Sequence, residues 1–251
     1  MQIYHGEYHY NYPQGLPFYG GSGMAVSEND GSSFTKVGEI LAPHLTQQQF
    51  FDLGVNGGLP VDGFMIEADG HGNYAGSSTS ADGDYFYDIF TDRNSAAQHQ
   101  GFAIARVAKA DLIDALAVHK APLFKKYYEP GGGFTEPGLG GSSTLIVTQG
   151  TDAIAWPQVI YCAFLHKYLL FYQTNQKMIQ VRSSSNLMSW SAPTTLFTSS
   201  SASLKTFYPT AVGADSHPDL LGKRFFLYFQ QRNATAPLNP NYLRAEITIT
   251  P

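Results

Sequence analysis

A chain of 251 residues with a net charge of -5 and only 14% charged residues lacks the basic surface that nucleic acid or an anionic membrane would select. Its single cysteine excludes an internal disulfide and a cysteine metal cluster. No apolar run approaches the ~20 residues of a membrane-spanning helix. The opening MQIYHGEYHY reads as no signal peptide, although the Gly, Ser and Tyr content resembles that of extracytoplasmic enzymes. With 25 Gly, 14 Pro and 14% aromatics, many short strands and tight turns are expected, in one all-β domain over 1–251.

Residues 2–11 read as the first strand, and period-two alternation puts His5, Glu7 and His9 on one face. Strands follow at 20–26 and 36–41. Between them lies SENDGSSF, residues 27–34, where Asn29 is a short acceptor, Gly31 takes positive φ and Phe34 is expected to anchor the turn in the core. Residues 46–58 form a connection with one helical turn, and 64–67 a short strand. Glu67, Asp69 and His71 alternate after it, and Asp82-Gly83-Asp84 reads as a hairpin turn. Strands 85–91 and 101–107 form a pair, with Arg93 just past the first. The one expected helix spans 108–119, with Leu112, Ile113 and Leu116 on one face and Asp111 in its first turn.

Residues 124–128 read as an outer strand and 129–143 as a long glycine-rich loop holding Glu136. Further strands are expected at 144–148, 156–164, 168–172, 178–182, 207–212, 224–230 and 242–250. Cys162 lies in the apolar run VIYCAFL and reads as a buried, inert thiol. Residues 183–190, SSSNLMSW, are a second copy of the Ser…aromatic turn, with Ser185 and Leu187 in the acceptor and glycine places. The spacing of roughly 50–65 residues fits four-stranded blades of a β-propeller. About three and a half blades are counted, and a strand before Gln2 is missing, so an N-terminally truncated propeller is expected. Its unpaired blade edge would favour a homodimer.

The order YHGEYHY, Ser…aromatic turn, YFYDIFTD…GFAIARV, FKKYYEPGGGFTEPGLGGSS, YLLFYQT…IQVRSSSNLMSW and FYPTAV resembles the five-bladed propeller glycoside hydrolases: arabinanases, xylosidases, fructosidases and uncharacterised relatives. That resemblance implies a saccharide substrate, acidic residues acting from separate blades, and a calcium ion near the axis. Glu136, in T-E-P-G, is similar to the acid-bearing E-G-P element of the arabinanase-like families. The N-terminal Asp of that pattern has no counterpart here.

In a propeller, inner strands begin and second strands end at one face, where functional groups collect. His5, Glu7 and His9, placed at the end of a second strand, are candidate catalytic groups together with Glu136. A polar ladder on an edge strand is the structural alternative for the first three. Trp156, Gln158 and Tyr208 start inner strands and are candidate saccharide contacts, alongside His71 and Arg93; core filling is the alternative for Trp156. Glu67 and Asp69 are the candidate ligands for calcium, or a solvated loop. The G-x-S-x-G elbow fails at Met24, and no Walker loop, dinucleotide fingerprint or H-E-x-x-H motif is present. Three functions are therefore carried forward: a glycoside-hydrolase-like enzyme, a calcium-assisted lactone or ester hydrolase, and a non-catalytic glycan-binding propeller.

Overall fold

The computed structural model describes residues 1–9, 17–53, 58–59, 61, 63–69, 71–72, 74, 84–94, 99–150, 152–214, 220–233 and 236–250, with backbone only at 58–59, 93–94, 99 and 236–239. Parts of two sequence readings, residues 10–11 of the first strand and Asp82-Gly83 of the hairpin turn, lie outside them.

Four sheets follow one another along the chain as propeller blades. Blade 1 contains β1 (Gln2–His9), β2 (Phe18–Val26) and β3 (Thr35–Leu41), antiparallel in that order. After the short helix α1 (Gln47–Asp52), β4 (Gly58–Leu59) adds parallel to β2. Blade 2 contains β5 (Gly63–Ala68), β6 (Tyr85–Asn94) and β7 (His99–Ala108), then helix α2 (Lys109–Ala117), then β8 (Lys125–Tyr128) and β9 (Gly133–Pro137). Blade 3 contains β10 (Ile154–Cys162), β11 (Lys167–Thr174), β12 (Met178–Ser184) and β13 (Thr194–Thr198). Blade 4 contains β14 (Leu204–Gly213), β16 (Arg224–Asn233) and β17 (Ala236–Thr248). Between them, β15 (Leu220–Leu221) crosses to pair parallel with β10 of blade 3. The described residues thus form four blades of three to five strands, where the sequence spacing predicts four-stranded blades, about three and a half of them, and the family resemblance implies five.

The core lies between blades, which explains why so many strands carry apolar residues on both faces. On β6, Tyr87 and Ile89 face blade 3 and pack with Ile154, Leu170 and Tyr172. Phe90, on the other face, packs with Met24, Ile40 and Leu41 of blade 1. Blades 3 and 4 meet through Phe171, Ile179, Phe225 and Leu227. Cys162 is fully buried in this last cluster, and its burial pushes the thiol pKa up, as an inert core residue requires.

Several local expectations change. The strand β1 pairs with β2 and stands at the edge of its sheet among the described residues. The 129–143 loop contains a single 3-10 turn, Glu129–Gly131, and then β9. The expected strand at 144–148 reduces to one bridge between Val147 and Phe102. Helix α1 is closed by a capping box, Thr46 with Gln49. On α2, Leu112 is buried but Ile113 is 56% exposed, because residues one apart on a helix point about 100° apart.

The two Ser…aromatic turns differ more than their sequences do. In the first, Gly31 N donates to Ser27 Oγ (2.8 Å) and Ser33 N to Asn29 Oδ1 (2.9 Å), but Phe34 is 44% exposed and anchors nothing. In the second the acceptor is Asn186, one residue beyond the expected Ser185: it receives the Met188 and Ser189 amides at 3.1 and 3.0 Å. Leu187 takes φ 63° there and is fully buried, and Trp190 Nε1 donates to its carbonyl at 2.9 Å.

Candidate functional site

The opening strands of all four blades converge on one cavity of about 850 Å³. Its lining includes His5 and Glu7 from β1, Gly63 and Phe64 from β5, Trp156 and Gln158 from β10, and Tyr208 and Thr210 from β14. That is the place in a propeller where functional groups from separate blades meet.

Glu7 is held between two histidines. His5 Nε2 stands 3.2 Å from Oε1, and His9 Nε2 stands 3.0 Å from Oε2. An ionised carboxylate only accepts, so both imidazoles donate through Nε2 and fix the carboxylate in one orientation. The period of two puts all three on one face, and Gly20, directly opposite Glu7 on β2, leaves that face open. The Phe18 ring lies against both imidazoles, with centroids 6.3 Å from His5 and 5.9 Å from His9. Glu7 is a little over one-third exposed, so solvent and ligand both reach it.

Blades 3 and 4 contribute aromatics by a repeated device. In Ala155-Trp156-Pro157-Gln158 and Phe207-Tyr208-Pro209-Thr210 the strand bulges out of register with its neighbour. Trp156 has φ 53° and Tyr208 φ 54°, a region that bulky residues rarely adopt and that costs of order 1–3 kcal/mol each. Each bulge turns its aromatic toward the cavity, and the two rings lie 4.9 Å apart at 53°. Arg232 stacks behind them, 4.9 Å from the Phe207 centroid and 5.9 Å from that of Tyr208. Flat aromatic faces beside hydrogen-bonding amides are the surfaces on which sugar rings stack.

Gln158 lines the cavity but spends its carboxamide on structure. Its Nε2 donates to the Ala211 carbonyl (3.0 Å), and the Ala211 amide donates back to Oε1 (2.5 Å), tying blade 3 to blade 4. Glu136 is not in the lining. It sits on β9, the outermost strand of blade 2, accepts from the Ser142 amide at 3.3 Å and faces Lys126 across the β8–β9 register. Lys126 is fully buried, donates to the Ala42 and Gly141 carbonyls (2.5 and 2.8 Å), and is pushed down to about 8 by burial, against the pull of Asp92 and Glu136. Glu136 therefore belongs to a buried polar cluster between blades 1 and 2, away from Glu7.

Of the other expected contacts, those whose side chains are described do not line the cavity. Exposed His71 uses its backbone amide to close a turn on Asp69 Oδ1 at 2.8 Å. Arg93 pairs through its backbone with Gln100, and its side chain lies outside the described residues. Glu67 is ion-paired with Lys109 at 2.7 Å. Neither Glu67 nor Asp69 lines the cavity, and among the described residues no three His, Cys, Asp or Glu side chains are grouped to hold a metal. With Glu67 and the Asp69 Oδ1 atom engaged in this way, the pair does not fit a calcium site.

Two residues of the site were missed. Asp88 on β6 is fully buried, and its Oδ1 occupies the space of a Gly63 side chain: a Cβ there would stand 2.0 Å away. Because Gly63 lines the cavity, the Asp88 carboxyl lies directly behind the cavity wall. Gln173 on β11 lines the cavity from within the apolar run YLLFYQT. In both cases the signal was a polar residue inside a strand otherwise apolar on both faces.

No family model matches the chain, and no curated protein matches it. Among solved structures the fold is similar to that of the β-fructofuranosidase from Schwanniomyces occidentalis complexed with fructosyl-erythritol, at 15% identity and a TM-score of 0.56, over 98% of this chain and 40% of that one. It is also similar to the Penicillium chrysogenum α-L-arabinanase complexed with arabinobiose, at 8% identity and a TM-score of 0.51, over 97% and 61% of the two chains. The exo-inulinase from Aspergillus awamori gives 13% identity and a TM-score of 0.51, over 91% and 41%. The chain thus shares the β-propeller fold of these glycoside hydrolases and spans less than two-thirds of the length of each.

Proposed function

We propose that this chain is a carbohydrate-active hydrolase that cleaves a glycosidic bond in the axial cavity, with Glu7 as a reacting carboxylate. The observation that carries this reading is one cavity in which four blades bring together a carboxylate fixed between two histidines and a strained aromatic pair. In this reading a sugar ring stacks on Trp156 and Tyr208, and the oriented Glu7 takes the proton of the attacking water or attacks the anomeric carbon itself. His5 and His9 are positioning residues that hold the Glu7 carboxyl aimed. The fifth blade implied by the family resemblance belongs to this proposal.

One observation favours a second reading. Glycoside hydrolysis ordinarily employs two carboxyl groups facing each other across the bond. Among the described residues of the lining, Glu7 is the one carboxylate. A saccharide-binding propeller without turnover uses the same stacking surface and needs no second acid. A screen of chromogenic glycosides with the wild-type chain and Glu7→Gln separates the two. Turnover abolished by Glu7→Gln supports the hydrolase. Turnover indifferent to that substitution overturns the role of Glu7. Saccharide binding without turnover in either protein establishes the second reading.

A further inference from the structure

Gln173 is the last but one residue of β11, and the residues before it, Tyr168 to Tyr172, are all buried and, except for the tyrosine hydroxyls, apolar. It is itself 2% exposed, yet it lines the cavity. Its Nε2 has no hydrogen-bond partner among the described residues. A buried amide donor left unpaired costs about 1–3 kcal/mol, so such a group persists where a ligand completes it. The backbone around it is firmly set. Gln173 pairs with Ala155 on β10 and Ile179 on β12, and beyond Thr174 the residues Asn175 and Gln176 are the centre of the hairpin turn, with φ 52° at both. The turn is closed by Lys177 N donating to the Thr174 carbonyl at 3.0 Å. The carboxamide is therefore presented from backbone paired on both sides, beside a closed hairpin turn.

The rest of the lining defines what that donor meets. Five carboxamides surround the cavity: Gln100, Gln158, Gln173, Asn175 and Gln176. Three are already engaged by protein. Gln100 Nε2 donates to the Ile154 carbonyl (2.7 Å), Gln158 clamps Ala211, and Asn175 Nδ2 donates to Asp152 (2.7 Å) while its Oδ1 accepts from Ala153 N (3.0 Å). The titratable side chains of the described lining, apart from the Tyr208 phenol, are His5 and Glu7, and it includes no lysine or arginine. An acidic sugar would bring its carboxylate toward Glu7 with no basic side chain in that lining to offset the repulsion.

We infer that Gln173 is a specificity residue of the cavity, whose Nε2 donates to a hydroxyl or ring oxygen of an uncharged saccharide. This rests on the saccharide reading above and deepens it by naming the ligand class and the group that reads it. A site built around a buried donor discriminates strongly, because a ligand lacking the acceptor leaves the donor unpaired.

The test is titration calorimetry on the Glu7→Gln protein, which removes turnover from the measurement, with and without Gln173→Met. The probes are arabinobiose and fructosylnystose as neutral saccharides and digalacturonate as an acidic one. Gln173→Met is expected to weaken neutral binding about tenfold or more, the loss of one hydrogen bond to a buried donor. The melting temperature should hold or rise, since methionine fills the space without an unpaired amide. A residue with a purely structural role would lower both. Unchanged affinity overturns this inference and leaves the saccharide reading standing. Digalacturonate bound as tightly as the neutral probes overturns the ligand class. No binding of any probe to either the wild-type chain or the Glu7→Gln parent overturns the saccharide reading, and this inference with it. A measurement independent of any substitution is the side-chain NH₂ resonance of Gln173 in the ¹⁵N-labelled protein. It should shift when a neutral probe binds, and a resonance that stays in place while the probe binds overturns the assignment.

Discussion

The cavity has two unlike halves. Blades 1 and 2 build theirs on regular strands: β1–β2 and β5–β6 run without a register shift, and they bring Glu7, His5 and, behind Gly63, Asp88. Blades 3 and 4 build theirs on bulges, and bring Trp156 and Tyr208 at left-handed φ. The charged group is thus held by hydrogen bonds on unstrained backbone, while the stacking surface is held by strain. The difference has a physical logic. A carboxylate is aimed by directional donors that a regular strand supplies at every second residue. A flat ring has no such directional partner and must be aimed by the backbone itself.

The sharpest way to break this division is to remove the charged group. Glu7→Gln keeps the shape of the side chain and should lower glycoside turnover about 10²–10⁴-fold, the usual worth of a positioned acid–base group, with saccharide affinity little changed. Steady-state kinetics beside calorimetry read both. An equal loss of affinity would make Glu7 a binding group and erase the distinction between the halves.

The regular half depends on Gly63. Gly63→Ala puts a methyl 2.0 Å from Asp88 Oδ1 and should cost about 1–3 kcal/mol by denaturant unfolding. Adding Asp88→Gly should recover part of that loss. If the double substitution recovers nothing, the glycine serves some purpose other than admitting the carboxyl.

On the bulged half, Trp156→Gly should cost more in function than in stability. Saccharide affinity falls roughly tenfold as about 0.5–1.5 kcal/mol of stacking is lost with its buried area. The left-handed φ of 53° no longer costs anything at glycine, so the stability lost with the ring should be smaller than for Trp156→Ala. Equal melting temperatures for the two substitutions would mean that the bulge stores no strain.

A pH-dependent effect concerns Lys126, buried between blades 1 and 2. Burial lowers its folded pKa to about 8 from the ordinary 10.5, against the raising influence of Asp92 and Glu136. Between those values the unfolded chain holds a proton that the folded chain has released, so stability from this group rises as pH increases from about 8 toward 10.5. Denaturant unfolding between pH 7.5 and 10 should show that rise in the wild-type chain and lose it in Lys126→Met.

Local pattern in the sequence was enough to locate β1, the 85–107 strand pair, the 168–182 pair and the candidate residues Glu7, Trp156 and Tyr208, because alternation and turn chemistry act over a few residues. It erred where contacts between blades decide. Phe34 and Trp190 occupy equivalent turn positions, yet one is 44% exposed and the other packs against the cluster between blades 2 and 3. Glu136 sat in a motif similar to an acid-bearing one, but the position of a strand within its blade sets its distance from the axis, and β9 is outermost. Asp88 and Gln173 were passed over because each lies in a strand that reads as core, and nothing local says that the core there borders a cavity.

By itself, then, the sequence determined an all-β chain of propeller blades and the alternation that puts His5, Glu7 and His9 on one face. Those follow from backbone periods that each strand carries within itself. The tertiary structure alone decided that β1 stands at the edge of its sheet among the described residues, that two bulged aromatic-proline segments meet at 4.9 Å, and that Gly63 brings Asp88 to the cavity wall. Each of these depends on which strands of different blades stand at the axis, and that is fixed by packing between residues far apart in the chain.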